Sequence, residues 1–273
     1  NFEAGANMAL DVFGVDRVTF TGSSATGKHV MASAATHLAP VSLELGGKGA
    51  NIVFEDADID NAIHWAVEAI FRNAGQICLA GSRLFVHSSL YESFMERFVA
   101  AAEALTIGDP FDPATKFSSL ASKRHFDKVA SYVESARELG GTIRTGGVAE
   151  DGSWVVRPTI IDGLALDAAP YCEEIFGPVC VVNSFDTEEE VVHLANDTRY
   201  GLNAMLFTEN LSRAHRVASK LRAGTVWVNC FFIRDLRTPF GGVGDSGVGR
   251  EGGNFSREFF TEPKAVVMQI DRG

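Results

Sequence analysis

The chain has 273 residues, of which 46% are apolar, and its formal net charge is −11. This length is sufficient for one large or two ordinary domains with a sizeable core. Because the acidic balance comes with no basic patch, the composition argues against a nucleic-acid partner.

Cysteine usage and hydropathy indicate the compartment. The four cysteines are widely spaced and none lies in a Cys-x-x-Cys pair, which argues against a disulfide framework and for a reducing environment. With neither a signal-peptide pattern nor a long apolar run, we expect a cytoplasmic protein with no membrane partner. The opening NFEAGANMALDVFG resembles the middle of a helix, so we expect the chain to be part of a longer polypeptide.

Apolar runs typical of strands alternate with helical patterns along the whole chain. Strands are predicted at 17–21, at the run VSLEL before Gly46, and at 51–54, 83–87, 154–156, 159–161, 179–185, 225–229 and 264–270. Helices are predicted after the turn at Gly22 and over 58–74, 89–105, 122–139, 187–197 and 210–221. This alternation favours an α/β fold with a largely parallel sheet.

The stretch FTGSSATGKHV (20–30) predicts a strand, a small-residue turn and the start of a helix. The unpaired N–H groups of a helix N-terminus suit phosphate groups. The spacing from Gly22 to Gly27 matches neither Gly-x-Gly-x-x-Gly nor a P-loop. An ordinary helix capped by serine therefore remains the alternative.

Glu44 lies in an apolar strand just before the paired glycines of LELGGKGANIVF (43–54). A carboxylate in such a run is paired, protonated or functional, and partial burial raises its pKa towards the range of a general base. The alternative is an edge strand on which Glu44 faces solvent.

Cys78 lies between Gly75 and Gly81 in NAGQICLAGSR (73–83), where side-chain bulk is low. This setting suits a nucleophilic thiol, with Asn73 and the backbone N–H of Cys78 as candidate oxyanion donors. A buried inert thiol is the alternative. The buried inert state is also what we expect for the other cysteines, Cys172, Cys180 and Cys230.

Two adjacent acids precede Phe-Gly-Pro in YCEEIFGPVCVV (171–182). One of them is a candidate to bind the vicinal hydroxyls of a ribose, and a solvated turn is the alternative. No histidine lies at metal-ligand spacing from these acids or from the cysteines, so we predict no metal site.

These stretches, followed by PFGG and SGVGREGG, resemble the aldehyde dehydrogenase superfamily in its C-terminal portion. The segment NCFFIRDLRTPFGG (229–242) resembles the branch that oxidises hydroxymuconic, carboxymethyl-hydroxymuconic and aminomuconic semialdehydes. The Pro-Trp-Asn stretch that supplies the family's second oxyanion donor is not found in these residues.

The resemblance implies an NAD-dependent oxidation, with NADP not excluded. It assigns Cys78 as the nucleophile that forms a thiohemiacetal and then a thioester, and Glu44 as the general base. Cofactor contacts are implied for Gly22, Ser23, Gly27, Leu45, Gly46, His125, Lys128, Glu174 and Phe176. Phe240 is implied in the substrate funnel, and Arg234, then Arg237, are candidates to bind an anionic semialdehyde. An ion pair with Asp235 or Glu251 is the alternative for either arginine.

The resemblance also implies a domain organisation and partners. Residues 1–46 are expected to finish a Rossmann-like cofactor domain and residues 47–245 to form an α/β catalytic domain. Residues 246–262 are expected to return to the cofactor domain, and residues 263–273 to form an oligomerisation strand and tail. The expected partners are a small aldehyde and further copies of the chain in a homodimer or homotetramer. The alternatives are a cysteine-dependent esterase or thioesterase, and a non-catalytic scaffold built on a truncated dehydrogenase.

Overall fold

The computed structural model describes residues 15–149 and 152–270. The helical opening predicted from the first residues, 1–14, and the end of the predicted tail, 271–273, lie outside the described residues. The strands are β1 Val18–Thr21, β2 Val41–Glu44, β3 Ala50–Val53, β4 Arg83–His87, β5 Thr142–Val148, β6 Val156–Asp162, β7 Val179–Phe185, β8 Asn203–Phe207, β9 Thr225–Val228 and β10 Gly247–Val248. The helices are α1 Ser24–Ala35, α2 Ile59–Phe71, α3 Tyr91–Glu103, α4 Lys123–Glu138, α5 Ala169–Cys172, α6 Glu188–Asn196, α7 Leu211–Lys220 and α8 Gly253–Phe260.

Seven of the described strands form the larger sheet, in the order β5-β6-β7-β4-β3-β8-β9. Neighbouring strands are parallel except β5, which pairs antiparallel with β6. The central strand β3 is buried at all four positions, as expected of a parallel sheet covered on both faces. The predicted α/β fold with a largely parallel sheet is confirmed.

Helix α2 covers this sheet and leads into the cysteine loop. Its N-terminus is capped by Asp58, whose side chain accepts a hydrogen bond from the backbone N–H of Asn61 at 3.1 Å. Ile63, Val67 and Ile70 recur at helical spacing and are all buried. The apolar face therefore holds the helix in the core, and the helix ends at Phe71 because Arg72 has a non-helical ψ of 137°.

The smaller sheet of the described residues has the order β1-β2-β10. Strands β1 and β2 are parallel, and β10 returns antiparallel to β2, with Gly247 opposite Glu44. Val30, Leu43 and Leu45 form a separate apolar cluster beneath this sheet. The late Gly-rich segment thus lies beside the strand that carries Glu44. The division of the chain into domains stays a prediction.

Strands β5 and β6 differ from the sequence prediction. The runs 154–156 and 159–161 were expected as separate strands, but they contribute to one strand, β6. Strand β5 was not predicted, because its sequence TIRTGGV is polar and contains two glycines. Gly146 has a φ of +93°, and a Cβ there would lie 2.2 Å from the Pro158 carbonyl oxygen. The glycine is needed at this irregularity, where β5 closes onto a strand that contains proline.

Other differences lie at helix ends and in the tail. The helix predicted over 58–74 ends at Phe71, and helices α5 and α8 were not predicted. The strand predicted at 264–270 is neither helix nor strand in the single chain, and its residues are exposed. No helix among the described residues is long and apolar enough to cross a membrane.

Candidate active site

The loop that carries Cys78 begins with an unusual backbone. After α2, the short turn Arg72–Gly75 places Asn73 at a φ of 53°, Ala74 at 54° and Gly75 at 68°. Left-handed conformations of non-glycine residues cost of order 1 kcal/mol or more each and persist only where the surroundings enforce them. Here the surroundings are the Phe-Gly-Pro segment, because a Cβ on Gly75 would lie 2.2 Å from the carbonyl oxygen of Gly177.

The glycines around Cys78 serve contacts within the chain. The low bulk was expected to leave room at the thiol, but a Cβ on Gly81 would lie 2.8 Å from Met205 Cε in the core. Likewise, a Cβ on Gly47 would lie 2.4 Å from the Cys78 carbonyl oxygen. These close approaches fix the cysteine loop against the Gly-Gly-Lys turn and the core.

Asn73 does not occupy the position expected of an oxyanion donor. Its side-chain amide donates to the Gln76 carbonyl oxygen at 3.0 Å. It lines a separate depression with Ala74, Lys116 and Phe117, and not the cleft that contains Cys78. The sequence interpretation of Asn73 was therefore wrong, and the side chain closes the turn instead.

Glu44 ends β2, the central strand of the smaller sheet, and is only 5% exposed. The alternative of a solvent-facing edge position is wrong. Both carboxylate oxygens are buried without a hydrogen-bond partner among the described residues. The pKa of Glu44 is raised to about 7, chiefly by burial and also by the charge of Glu251, against the opposing charges of Arg250 and Arg234. A buried, unsatisfied carboxyl group that titrates near neutrality is typical of a functional site.

The Cys78 thiol is half-buried, and the charges of two acids act on it. The pKa of Cys78 is raised to about 11, chiefly by burial and in smaller part by the charges of Glu174 and Glu44. The thiol is therefore protonated at neutral pH in the ligand-free chain. A nucleophilic role therefore requires a proton acceptor, and Glu44, whose charge acts on the thiol, is the candidate.

A cleft of about 530 Å³ opens at Cys78. It brings together most of the residues for which cofactor contacts were predicted: Gly22, Ser23, Leu45, Gly46, His125, Lys128, Glu174 and Phe176. Thr21, Gln76 and Ile77, which were not singled out from the sequence, complete its lining. Gly27 lies just outside the cleft, where a Cβ would lie 2.4 Å from Leu45 Cδ2. Its role is to let α1 pack against Leu45.

The N-terminus of α1 faces this cleft. The Ser23 hydroxyl accepts a hydrogen bond from the backbone N–H of Thr26 at 3.2 Å, so the serine cap considered from the sequence is present. Gly22 and Ser23 nevertheless also line the cleft. The cap and the anion-binding interpretations are thus compatible at this helix end.

Glu174 is held beneath the cleft by the Gly-Gly turn. Its Oε1 accepts a hydrogen bond from the Gly47 N–H at 2.9 Å, and a Cβ on Gly46 would lie 2.3 Å from its Oε2. Burial raises the pKa of Glu174, opposed by the Gly47 N–H and by the charge of Lys128. A fixed, half-buried carboxylate replaces the solvated turn that was the alternative; the exposed acid is its neighbour Glu173.

His125 and Lys128, on α4, hold the same segment by its backbone. His125 Nε2 lies 2.7 Å from the Phe176 carbonyl oxygen, and Lys128 Nζ donates to the Glu174 carbonyl oxygen at 3.2 Å. Burial lowers the pKa of His125, which favours the neutral ring that donates from Nε2. Phe176 is kept at a φ of 60° at the cleft wall. Both side chains therefore shape the cleft as well as line it.

The two candidate substrate arginines lie in different environments. Arg237 forms an ion pair with Asp235, with Nε 2.9 Å from Oδ1, so the alternative considered from the sequence is realised. Arg234 forms no ion pair among the described residues, and its guanidinium lies 4.7 Å from the centre of the Phe240 ring. Phe240 is half-buried and fixed by backbone hydrogen bonds to Glu251.

Comparison with known proteins identifies the family. The family model of the aldehyde dehydrogenase family matches residues 3–266. The chain belongs to the aldehyde dehydrogenase family. It is 50% identical, over 94% of its length, to a 2-hydroxymuconic semialdehyde dehydrogenase of a Pseudomonas strain, and 46% identical to a Pseudomonas 2-aminomuconic 6-semialdehyde dehydrogenase. An aldehyde dehydrogenase of Bacillus cereus in complex with NAD+ superposes with a TM-score of 0.94 at 41% identity, over 98% of this chain and 55% of the other.

This aldehyde dehydrogenase chain spans about half the length of the curated relatives it matches, 54% for both Pseudomonas enzymes. The family membership and the fold are therefore established for these residues. The sequence resemblance to this family is confirmed, and so is its likeness to the muconic semialdehyde branch. The roles of individual residues stay proposals.

Lys48 is a site residue that sequence reasoning missed. It is fully buried, and its Nζ donates to the Pro170 carbonyl oxygen at 2.9 Å. The pKa of Lys48 is lowered to about 7, chiefly by burial and also by the charge of Arg83. The signal was present, because lysine directly follows the two glycines that pack against Glu174 and Cys78. Lys48 connects this turn to the helix just before Glu173 and Glu174.

The remaining cysteines differ from one another. Cys180 is buried, as expected, and Cys230 is half-buried. Cys172 is exposed, so the expectation that it is buried was wrong; it lies at the end of the short helix α5, and its Sγ is 3.1 Å from the Leu166 carbonyl oxygen. No group of three or more His, Cys, Asp or Glu suited to a metal ion occurs in residues 15–149 and 152–270.

Proposed function

We propose that this chain is the catalytic part of an NAD(P)-dependent aldehyde dehydrogenase that oxidises a carboxylated semialdehyde, such as a muconic semialdehyde, to the acid. The observation that carries the proposal is the buried Glu44 carboxyl group, which has no hydrogen-bond partner among the described residues and lies electrostatically close to Cys78. Burying a carboxyl group without a hydrogen-bond partner costs free energy. A role in proton transfer accounts for a group kept in this state.

The residues of the cleft fit a nicotinamide dinucleotide. The α1 N-terminus with Gly22 and Ser23 suits the pyrophosphate, while Glu174 offers a fixed carboxylate for ribose hydroxyls. His125 and Lys128 line the same cleft near the adenosine end in this proposal, and Phe176 lies at its wall. When bound, the nicotinamide supplies the hydride acceptor for the oxidation.

Cys78 carries the covalent chemistry. Its thiolate adds to the aldehyde carbon, the carbonyl oxygen becomes an oxyanion, and the product is a thiohemiacetal. In this proposal the backbone N–H of Cys78 donates a hydrogen bond to that oxyanion. Loss of hydride from the same carbon leaves a thioester on Cys78. In this proposal Glu44 first accepts the thiol proton and releases it to solvent, which restores the carboxylate. The carboxylate then accepts a proton from the water that attacks the thioester carbon, the carbon–sulfur bond breaks, and the acid product and the Cys78 thiolate are released.

The substrate preference rests on Arg234. Its guanidinium is unpaired among the described residues and close enough to Glu44 to affect the titration of that carboxyl group. A guanidinium binds a carboxylate through two hydrogen bonds. The names of the Pseudomonas relatives, both semialdehyde dehydrogenases, support an aldehyde that carries such a carboxylate.

The proposal includes assembly into a homodimer or homotetramer through the tail. Val267, Met268 and Ile270 are 93%, 78% and 82% exposed in the single chain. Apolar side chains in an extended tail gain stability by pairing with another surface.

The test follows two reactions of the purified protein and of its Cys78→Ala variant. Formation of reduced nicotinamide, measured by absorbance, reports aldehyde oxidation, and release of nitrophenol from an ester without cofactor reports acyl transfer to the thiol. We expect the parent to show both and the variant to lose both by at least about a thousandfold, because no other group replaces the nucleophile. Cys172→Ala is the matched control and should retain both rates.

Two outcomes would contradict the proposal. Ester hydrolysis by the parent with no oxidation of any aldehyde would support a cysteine-dependent hydrolase instead. Absence of both reactions, together with a Cys78 that iodoacetamide does not label at neutral pH, would indicate a non-catalytic scaffold.

A further inference from the structure

Arg72 is a second guanidinium close to Arg234 that neither the sequence motifs nor the proposed mechanism uses. It follows the last residue of α2 and lies six residues before Cys78. Its guanidinium lies 5.6 Å from the centre of the Phe232 ring, and that of Arg234 lies 5.5 Å from the centre of the same ring. Two cations from separate segments of the chain thus stack on one aromatic side chain.

Both guanidiniums lack an acidic partner within residues 15–149 and 152–270. Glu68 lies one helical turn before Arg72, yet the two form no ion pair there. Asp235 follows Arg234 directly but is bound to Arg237. The chain carries 35 acidic and 24 basic side chains, so two neighbouring arginines without an acid are not explained by a shortage of carboxylates. Two like charges placed on one ring are stabilised by an anion that both can contact.

The loop that contains Phe232 is held by packing and hydrogen bonds. Phe232 has a left-handed φ of 58°, and its neighbour Phe231 is 1% exposed and packs edge-on against Trp227 at 5.5 Å. The Trp227 Nε1–H donates to the Ile233 carbonyl oxygen at 3.0 Å. At the start of the loop, Asn229 exchanges side-chain hydrogen bonds with the backbone of Thr208. A fixed platform lowers the entropy cost of holding two long side chains for a ligand.

The position of the pair points to the substrate and not to the nucleotide. Neither arginine lines the 530 Å³ cleft. Arg234 also stacks on Phe240 and influences Glu44, and Arg72 belongs to the loop that leads to Cys78. The pair is therefore outside the cofactor cleft, with Arg234 linked to Glu44 by its charge and Arg72 linked to Cys78 by the loop.

We propose that Arg72 is a specificity-determining residue, which together with Arg234 binds the carboxylate of the semialdehyde between two guanidiniums stacked on Phe232. The inference rests on the proposed function. It adds that recognition of the anionic end is shared between the cysteine loop and the loop after β9, so that the anion orders both segments around the thiol.

The test compares a carboxylated aldehyde with a neutral aldehyde of the same length, 6-oxohexanoate with hexanal. We expect Arg72→Gln in the holoenzyme to raise KM for 6-oxohexanoate about tenfold, the effect of losing a charge-assisted hydrogen bond. KM for hexanal should change by less than about twofold. Arg72→Lys should recover part of the loss, because it keeps the charge without the fork. The matched control is Arg97→Gln, which removes a guanidinium that pairs with Asp60 at the other end of α2.

A binding measurement separates this inference from the proposed function. Adipate carries the carboxylates but no aldehyde, and calorimetry should show about tenfold weaker binding to Arg72→Gln than to the parent. Equal increases in KM for both aldehydes, or unchanged adipate affinity in Arg72→Gln, would overturn the role of Arg72. A parent that binds adipate through Arg72 but oxidises no aldehyde would leave the anion site standing and overturn the proposed function.

Discussion

The cleft side of the site and the arginine side, which is outside the cleft, differ in how their charged side chains are engaged. On the cleft side, Glu174 accepts a hydrogen bond from Gly47, and His125 and Lys128 bond to backbone carbonyl oxygens of the Phe176 segment. On the other side, Arg72 and Arg234 rest on aromatic rings and have no acidic partner among the described residues. The first side is fixed by contacts within the chain, whereas the second has its cations free for a ligand.

This difference suggests a division of roles. The residues that line the cofactor cleft hold one another in place through hydrogen bonds, so a substitution at one of them disturbs the others. The side chains that select a particular substrate can be substituted without disturbing the fold. Glu44 belongs to neither side. It is buried and has no hydrogen-bond partner among the described residues, and the charges of Arg234 and Glu251 shift its pKa.

The largest effect that tests this comparison is expected for Glu44→Gln. Because Gln cannot accept a proton from water, hydrolysis of the thioester should slow by about a hundredfold, within the usual range for a general base. Intact-mass measurement after addition of an aldehyde and cofactor should show the acyl-enzyme accumulating. An acyl-enzyme that turns over at the parent rate would show that Glu44 is not the base.

The same variant gives a pH test. The pKa of Glu44 is raised to about 7, and only the carboxylate can act as base. The rate of deacylation in the parent should therefore rise with pH, reach half its maximum near pH 7 and level off above it. In Glu44→Gln this rise should be absent. A rise that persists in the variant would assign the titration to another group.

The next effect concerns the fixed side of the site. Gly75→Ala places a Cβ 2.2 Å from the Gly177 carbonyl oxygen at a residue with a φ of +68°. We expect the free energy of unfolding to fall by roughly 2–4 kcal/mol, since both the clash and the backbone strain act. Urea unfolding measures this loss.

Gly140→Ala separates the two causes. Gly140 also has a positive φ, +86°, but no atom lies within 4 Å of a Cβ there. Its loss should be limited to roughly 1 kcal/mol of backbone strain. If both variants lost equal stability, the contact between the cysteine loop and the Phe-Gly-Pro segment would not be what holds Gly75 in place.

Some residues of the site could be predicted from the sequence, whereas their contacts could not. Part of the cleft follows from local signals, because glycines, a cap and two adjacent acids stand out in the sequence. Glu174 and His125 themselves were implied by the family resemblance. Their partners were not foreseen: that Gly47 packs on Cys78, or that His125 bonds to Phe176, depends on segments distant in sequence. For the same reason, Asn73 was misread as an oxyanion donor.

For the fold and for the substrate side as well, features with a local sequence signal were predictable and the others were not. The parallel sheet was predictable because its buried strands are short apolar runs, whereas β5, with Gly146 and Gly147, was missed because it is polar. Arg72 carried no signal, since an arginine after a helix is ordinary by pattern. Its interest comes only from sharing the Phe232 ring with Arg234.

The smallest effect is expected for Arg237, which lies three residues after Arg234 but is bound to Asp235. Because Arg237 is exposed, its ion pair with Asp235 contributes little to stability. The Arg237 guanidinium is nevertheless already bound to a carboxylate. We therefore expect Arg237→Gln to change KM for 6-oxohexanoate by less than about twofold, in contrast to Arg234→Gln, which should raise it about tenfold. Steady-state kinetics with both variants measure the difference. Equal increases for the two would mean that Arg237 leaves Asp235 to bind the substrate, and that an ion pair within the chain does not exclude an arginine from this side of the site.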